Sequence, residues 1–148
     1  MNFKSYFNES EESQDIKHAL SMLPTSHQKL VAGYQIKFQP GNTLKNDNES
    51  IGEVDEKNKT ITICGPWHYS RQTTFLHEVA HRVWEKLVSN EQKKAWKKLY
   101  KETQMEKKDR QNAEEIFCMS YSATYSKHPP VTYYKPAWVK FIKSLSAS

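Results

Sequence analysis

Apolar residues along this chain fall into two rhythms. From Arg71 to Val88, Phe75, Leu76, Val79, Ala80, Val83, Trp84, Leu87 and Val88 recur three and four residues apart, and neither Gly nor Pro interrupts. That spacing lines one face of a helix. Ser70, just ahead of the run, is its expected N-cap. Ala113, Ile116, Phe117, Ser120 and Tyr121 repeat the rhythm and predict a helix over about Gln111 to Ser126. Asp15 to Leu23 reads as a first helix, stopped by Pro24, and Ser26 is the expected cap of a short second one ending at Gly33. Ser89 and Gln92 make a capping-box pattern that starts a further helix, and Pro136 opens the last helix from its first position. The second rhythm, of period two, predicts strands at Tyr34–Gln39, Ile51–Val54 and Thr60–Cys64. The turn-rich Asp55 to Asn58 joins the last two strands, and Pro40-Gly41 and Gly65-Pro66 end the first and third. The result is an α+β domain, mostly helical, with a small sheet packed against the 71–88 helix.

Composition narrows the setting. The 148 residues suggest a single domain over 1–148, with polar residues 1–12 loose, and 4 Trp, 8 Tyr and 6 Phe offset a modest 36% hydrophobic content. The first residues contain no apolar run, so no signal peptide is expected, and no segment is expected to span a membrane. Cys64 and Cys118 form no disulfide framework. Both are expected to be reduced and buried, which fits a cytoplasmic protein. The net charge of +5 is concentrated in a stripe of Lys93, Lys94, Lys97, Lys98 and Lys101, followed by Lys107, Lys108 and Arg110. Ala95, Trp96, Leu99 and Tyr100 give the opposite face something to bury. The stripe reads as a solvated face. No base-reading motif accompanies it, so nucleic acid is not an expected partner, and the chain is expected to be a monomer.

The chemistry lies in the longest helical run, where His77-Glu78-Val79-Ala80-His81 has the form HExxH. Two imidazoles at i and i+4 project one turn apart from one face and can share one metal ion. Zinc suits them: it takes neutral imidazole, and a catalytic site uses three protein ligands and leaves a position for water. Glu78 reaches that water without being a ligand. A third ligand is needed, and Glu114 and Glu115 in the downstream helix are the candidates. They diverge by about 100° on an ideal helix, so only one is expected to face inward. Composition leaves the choice open.

The motif followed by Glu115-Ile116-Phe117-Cys118-Met119-Ser120-Tyr121 resembles the gluzincin peptidases related to the anthrax lethal factor catalytic domain and the Pro-Pro endopeptidases. Their helix has the form Glu-x-Phe-Ala-Glu-x-(Phe/Tyr). The resemblance implies a zincin-like fold, one zinc per chain and Glu115 as third ligand. Leu23-Pro24, Ile36-Lys37-Phe38, the segment from Ile51 to Ile63, Tyr125 to Pro130 and Pro136 to Leu145 extend the likeness along most of the chain. Two positions depart from the pattern. Met119 stands where the family has a second acid, so support for a ligating histidine must come from elsewhere. Lys108 stands where the family tends to have a catalytic Tyr. Tyr100, Tyr121, Tyr125, His68 and Lys108 are candidate oxyanion donors, and Tyr121 and His68 are the ones expected to face the cleft. Cys118, three residues past Glu115, could approach the metal, but a small core residue is its expected role.

The expected activity is hydrolysis of a peptide or protein substrate by a metal-activated water, with Glu78 as general base. The substrate would pair with an exposed edge of Thr60–Cys64, and Trp67, His68 and Tyr69 would rim the cleft. Two alternatives come from other classes. One is a zinc-binding module that has lost hydrolysis. The other is a basic nucleic-acid-binding protein with a structural zinc, disfavoured because structural sites usually have four protein ligands.

Overall fold

A computed structural model describes residues 11–39, 52–64, 68–101, 113–126 and 134–145, with backbone only at 11, 12, 68–70, 100 and 101. Six α-helices and three strands lie within these residues: α1 (Glu11–Ser21), α2 (Thr25–Gln28), β1 (Gln35–Gln39), β2 (Gly52–Asp55), β3 (Thr60–Cys64), α3 (His68–Lys86), α4 (Asn90–Lys101), α5 (Ala113–Tyr125) and α6 (Pro136–Ser144). A 3-10 turn, Lys29–Val31, follows α2. The architecture is mixed α+β. No helix among the described residues is long and apolar enough to cross a membrane.

The helix α3 is the hub. The helices α5 and α1 pack on it, and so does one face of the sheet. The sheet order is β1-β3-β2, with β1 parallel and β2 antiparallel to β3. The register sets Ile36 and Val54 on either side of Ile61, and Phe38 and Gly52 on either side of Ile63. These residues share one face, and Ile61 and Ile63 are buried in the core with Phe75, Leu76, Val79 and Val83 of α3. Asp55 closes the β2–β3 turn, accepting hydrogen bonds from the Asn58 backbone (3.1 Å) and side-chain amide (2.8 Å). Lys59 completes the turn at φ 50°.

Several boundaries and one strand pairing differ from expectation. The helix α1 begins at Glu11, so residues 11 and 12 are helical rather than loose, and it starts one turn ahead of Asp15. The helix α3 begins at His68, so Ser70 lies inside it rather than capping it. The cap of α2 is Pro24, with no side-chain bond, and Ser26 lies within the helix. The last correction matters most: β3 is the central strand, paired on both sides, and offers no edge. Its burial explains this, because Thr60, Ile61, Ile63 and Cys64 are all enclosed. The edge next to α3 belongs to β2.

Two long-range ties hold α3 in place. Arg71 donates from Nε to Asp15 Oδ2 at 2.9 Å, in an ion pair whose side chains are only 8% and 11% exposed. Ser122 donates to the Thr73 carbonyl at 2.9 Å and fastens α5 to α3. The capping box is present as read: Gln92 N–H donates to Ser89 Oγ at 3.1 Å, and Ser89 N–H donates to Gln92 Oε1 at 2.8 Å. The helix α4 turns Lys94, Lys97 and Lys98 to solvent and buries Trp96 completely. The Trp96 ring packs on Phe117, Trp138 and Phe141, and its indole N–H donates to the Ala113 carbonyl at 3.0 Å.

Candidate metal centre

The helix α5 is buried along most of its length, and its ordinary residues meet the core through Ala113, Ile116, Phe117, Cys118, Ser120, Tyr121, Ser122 and Ala123. Glu114 and Glu115 break that pattern. A carboxylate on such a helix is costly unless something compensates it. Here both find the histidines of α3.

His77 and His81 stand one turn apart with ring centroids 5.2 Å from each other, and their side chains are 22% and 21% exposed. His77 Nε2 lies 3.1 Å from Glu115 Oε2, and His81 Nε2 lies 3.2 Å from Glu115 Oε1. The two ring nitrogens thus converge on one carboxylate, whose oxygens face them both. The second acid is not idle. His81 donates from Nδ1 to Glu114 Oε2 at 2.5 Å. The expectation that only one of the two glutamates faces inward is therefore corrected: Glu115 faces the inner nitrogens and Glu114 the outer one. An imidazole carries its nitrogens on different edges, so residues about 100° apart on α5 can reach it from two sides.

The donor set, two imidazole nitrogens and a carboxylate, matches a three-ligand catalytic zinc site. Glu114 gives His81 a carboxylate partner at Nδ1. A ligating histidine normally donates its other N–H to a carboxylate or carbonyl, which fixes the tautomer and the ring. Electrostatics follow the geometry. The histidines beside Glu115 hold its carboxyl well below the usual carboxylate range. Burial works to lower the His81 pKa, but the carboxylates of Glu115 and Glu114 outweigh it and lift the value to about 9.

Cys118 follows Glu115 by one turn and is fully buried. It belongs to the hydrophobic core, as expected, and it also lies close to the two histidines. Its Sγ and one ring nitrogen from each of His77 and His81 all lie within 4.8 Å of one another. Burial, with Glu115, Glu114 and Glu78 nearby, pushes its thiol well above the ordinary value.

Glu78 lines, together with His81 and Glu114, an open cleft of about 380 Å³ beside β2. The cleft is lined by Gly52, Glu53 and Val54 of β2, by Glu78, His81 and Arg82 of α3, and by Glu114 of α5. Glu78 is 5% exposed. Burial raises its pKa, against the opposing pull of His77 and His81. A carboxylate shifted this way is a better proton acceptor near neutral pH. Gly52 is what lets β2 come so near. A Cβ there would lie 2.6 Å from Thr74 Cγ2 and 3.2 Å from Glu78 Cγ. Gly52 carries no signal in the sequence pattern, since close approach between a strand and a distant helix leaves none locally; Glu114 is one of the two candidate ligands, and its place beside His81 Nδ1 is what the pattern does not show.

Tyr121 does not face the cleft. It is fully buried, and its hydroxyl pairs with His27 Nδ1 at 2.8 Å. Six residues past Glu115 is about 240° around the helix, which turns it to the far side. Tyr125 packs beside it with its ring tilted by 56°, ring centroids 5.0 Å apart. The side chains of His68, Tyr69 and Tyr100, and residues Trp67 and Lys108, lie outside the described residues, as do 40–51, 65–66, 107, 110 and 127–133 and the Lys101 side chain. No family model, curated protein or solved structure matches the chain.

Proposed function

We propose that this chain is a zinc-dependent metallopeptidase of the gluzincin kind, with one zinc held by His77, His81 and Glu115. The reading rests above all on one observation: two imidazole nitrogens and a carboxylate converge on a point beside a buried glutamate, on a helix flanked by a sheet edge. Zinc, when bound there, lowers the pKa of a water and polarises a scissile carbonyl. Glu78 takes the proton of the attacking water on its carboxylate and returns it to the leaving amine. Glu114 orients His81. The peptide lies along β2, whose backbone runs beside Glu78, and pairs with it as an added strand. The two buried free cysteines suit a reducing compartment, so the proposed setting is the cytoplasm, with the chain acting as a monomer on peptides or proteins. A second reading, a metal-binding module without hydrolysis, draws support from the burial of Tyr121, which removes one expected oxyanion donor.

The deciding experiment offers zinc-loaded protein a mixed peptide library and reads cleavage by mass spectrometry. The expected result is cleavage that stops on chelation and falls about 100- to 10,000-fold in Glu78→Gln, with zinc retained. Retained zinc without any cleavage would favour the module; equal turnover by Glu78→Gln would remove the general base.

A further inference from the structure

A buried thiol is ordinarily a small hydrophobic filler, surrounded by apolar atoms. The surroundings of Cys118 are different. It belongs to the core, and its sulfur also lies within 4.8 Å of a ring nitrogen of His77 and of His81, both of which pair with carboxylates. It makes no hydrogen bond among the described residues, although both histidines beside it do.

The spacing is helical. Cys118 is three residues after Glu115, so both side chains leave α5 along one strip toward α3. Glu115 spans the two Nε2 atoms; separately, the Cys118 sulfur and a ring nitrogen of each histidine form a three-donor group within 4.8 Å. In a tetrahedral zinc site, nitrogens at about 2.0–2.1 Å and sulfur at about 2.3 Å lie roughly 3.5 Å from one another. The shortfall is of the order of 1 Å, which small side-chain rotations can close. The partly exposed rings of His77 and His81 give an ion its way in from solvent, while the sulfur approaches from the enclosed side.

We infer that Cys118 is a fourth protein ligand, so that a thiophilic divalent cation at this centre is held by two imidazoles, the Glu115 carboxylate and a thiolate. The thiol proton leaves to solvent as the metal–sulfur bond forms; a divalent ion deprotonates a coordinating thiol outright. The inference uses the same centre as the proposed peptidase and rests on that centre binding metal. It adds that the position a catalytic zinc leaves for water is closed by sulfur in the resting protein, so that substrate hydrolysis requires the thiolate to let go. The chain thereby carries an internal brake on its own site.

Cobalt(II) is the probe. The full chain is titrated with cobalt and followed by absorption. Parent protein is expected to bind one equivalent and to show an intense near-ultraviolet sulfur-to-cobalt charge-transfer band with visible bands of four-coordinate strength. Cys118→Ser and Cys118→Ala should still bind one cobalt but lose the charge-transfer band, and Cys64→Ser should keep it. Far-ultraviolet circular dichroism checks that each variant is folded, and the pair of replacements guards against one of them failing to fold. A parent that binds cobalt with no such band overturns the inference, as does a band surviving in both Cys118 variants, or no cobalt binding at all. Peptide cleavage is scored separately. A parent with the band and no cleavage in any variant would sink the peptidase reading and leave the thiolate standing. Cleavage without the band would do the reverse.

Discussion

His81 is engaged at both of its ring nitrogens, Nδ1 by Glu114 at 2.5 Å and Nε2 by Glu115 at 3.2 Å. The two acids are adjacent in sequence, and yet their roles differ. Glu115 also reaches His77, so it belongs where the two rings converge. Glu114 meets the outer edge of one ring, at His81 Nδ1, and so would act on a bound metal only through that ring.

This division predicts two different losses. Glu115→Ala should abolish stoichiometric zinc binding. Glu114→Ala should keep one zinc per chain with affinity weakened about 10- to 100-fold, the usual cost of removing a carboxylate behind a ligating histidine. Competition with a chromophoric chelator measures both. Loss of zinc in Glu114→Ala with full retention in Glu115→Ala would reverse the assignment.

Gly52 predicts a steric conflict with a specific remedy. Gly52→Ala places a methyl 2.6 Å from Thr74 Cγ2, and overpacking of this kind costs roughly 1–3 kcal/mol. Thr74→Ser removes that Cγ2. Urea denaturation of the two single variants and the double variant should show the serine restoring most of the loss. Independent, additive effects would mean that β2 moves away freely and that its closeness to Glu78 is unimportant.

Two histidines set opposite pH limbs of stability in the metal-free protein. Burial lowers the pKa of His27, against a smaller pull from the Leu145 backbone. Its contribution is therefore complete above the unfolded value of about 6.5 and is lost as pH falls below it. His81 is lifted to about 9. Its contribution is complete below about 6.5 and is lost as pH rises through about 9. Unfolding free energies of His27→Gln and His81→Ala, each subtracted from the parent across pH, should slope on the acid and alkaline sides respectively. A flat difference curve for either residue would show that it does not titrate between the folded and unfolded chain.

The exposed lysines of α4 should have little part in turnover. Lys94, Lys97 and Lys98 form no ion pair among the described residues and lie on the face away from Trp96. Reversing all three to Glu changes long-range attraction that salt screens over roughly 8–10 Å. Cleavage of a neutral peptide at high salt should match the parent; a folded variant that loses it would place the stripe within the substrate site.

Local features were readable from the chain alone because their causes are local. The HExxH helix, the Ser89/Gln92 capping box, Pro136 at the start of α6 and the spans of the three strands all depend on residues within a turn or two. Strand order does not. Whether β3 has a free edge depends on where β1 docks, and its alternating Thr and Ile residues suit a central strand as well as an outer one. The same limit explains Tyr121 and Glu114. Each helical residue has a direction, but what it meets is decided by a helix over 30 residues away. Ser70 and Ser26 misled for a different reason: a serine near a helix start favours capping, and here the helices begin further upstream.

His81 and Glu114 are 33 positions apart in the chain, and His77 and Glu115 are 38 apart. An ion gripped from both helices is consequently a cross-link. It closes a long loop that contains the whole of α4, and closing such a loop removes freedom from the unfolded chain much as a disulfide does. Unlike a disulfide, such a clasp would open with a chelator. The protein's resistance to unfolding, and to proteases that wait for α5 to lift off α3, is thus expected to rise and fall with the supply of free metal around it.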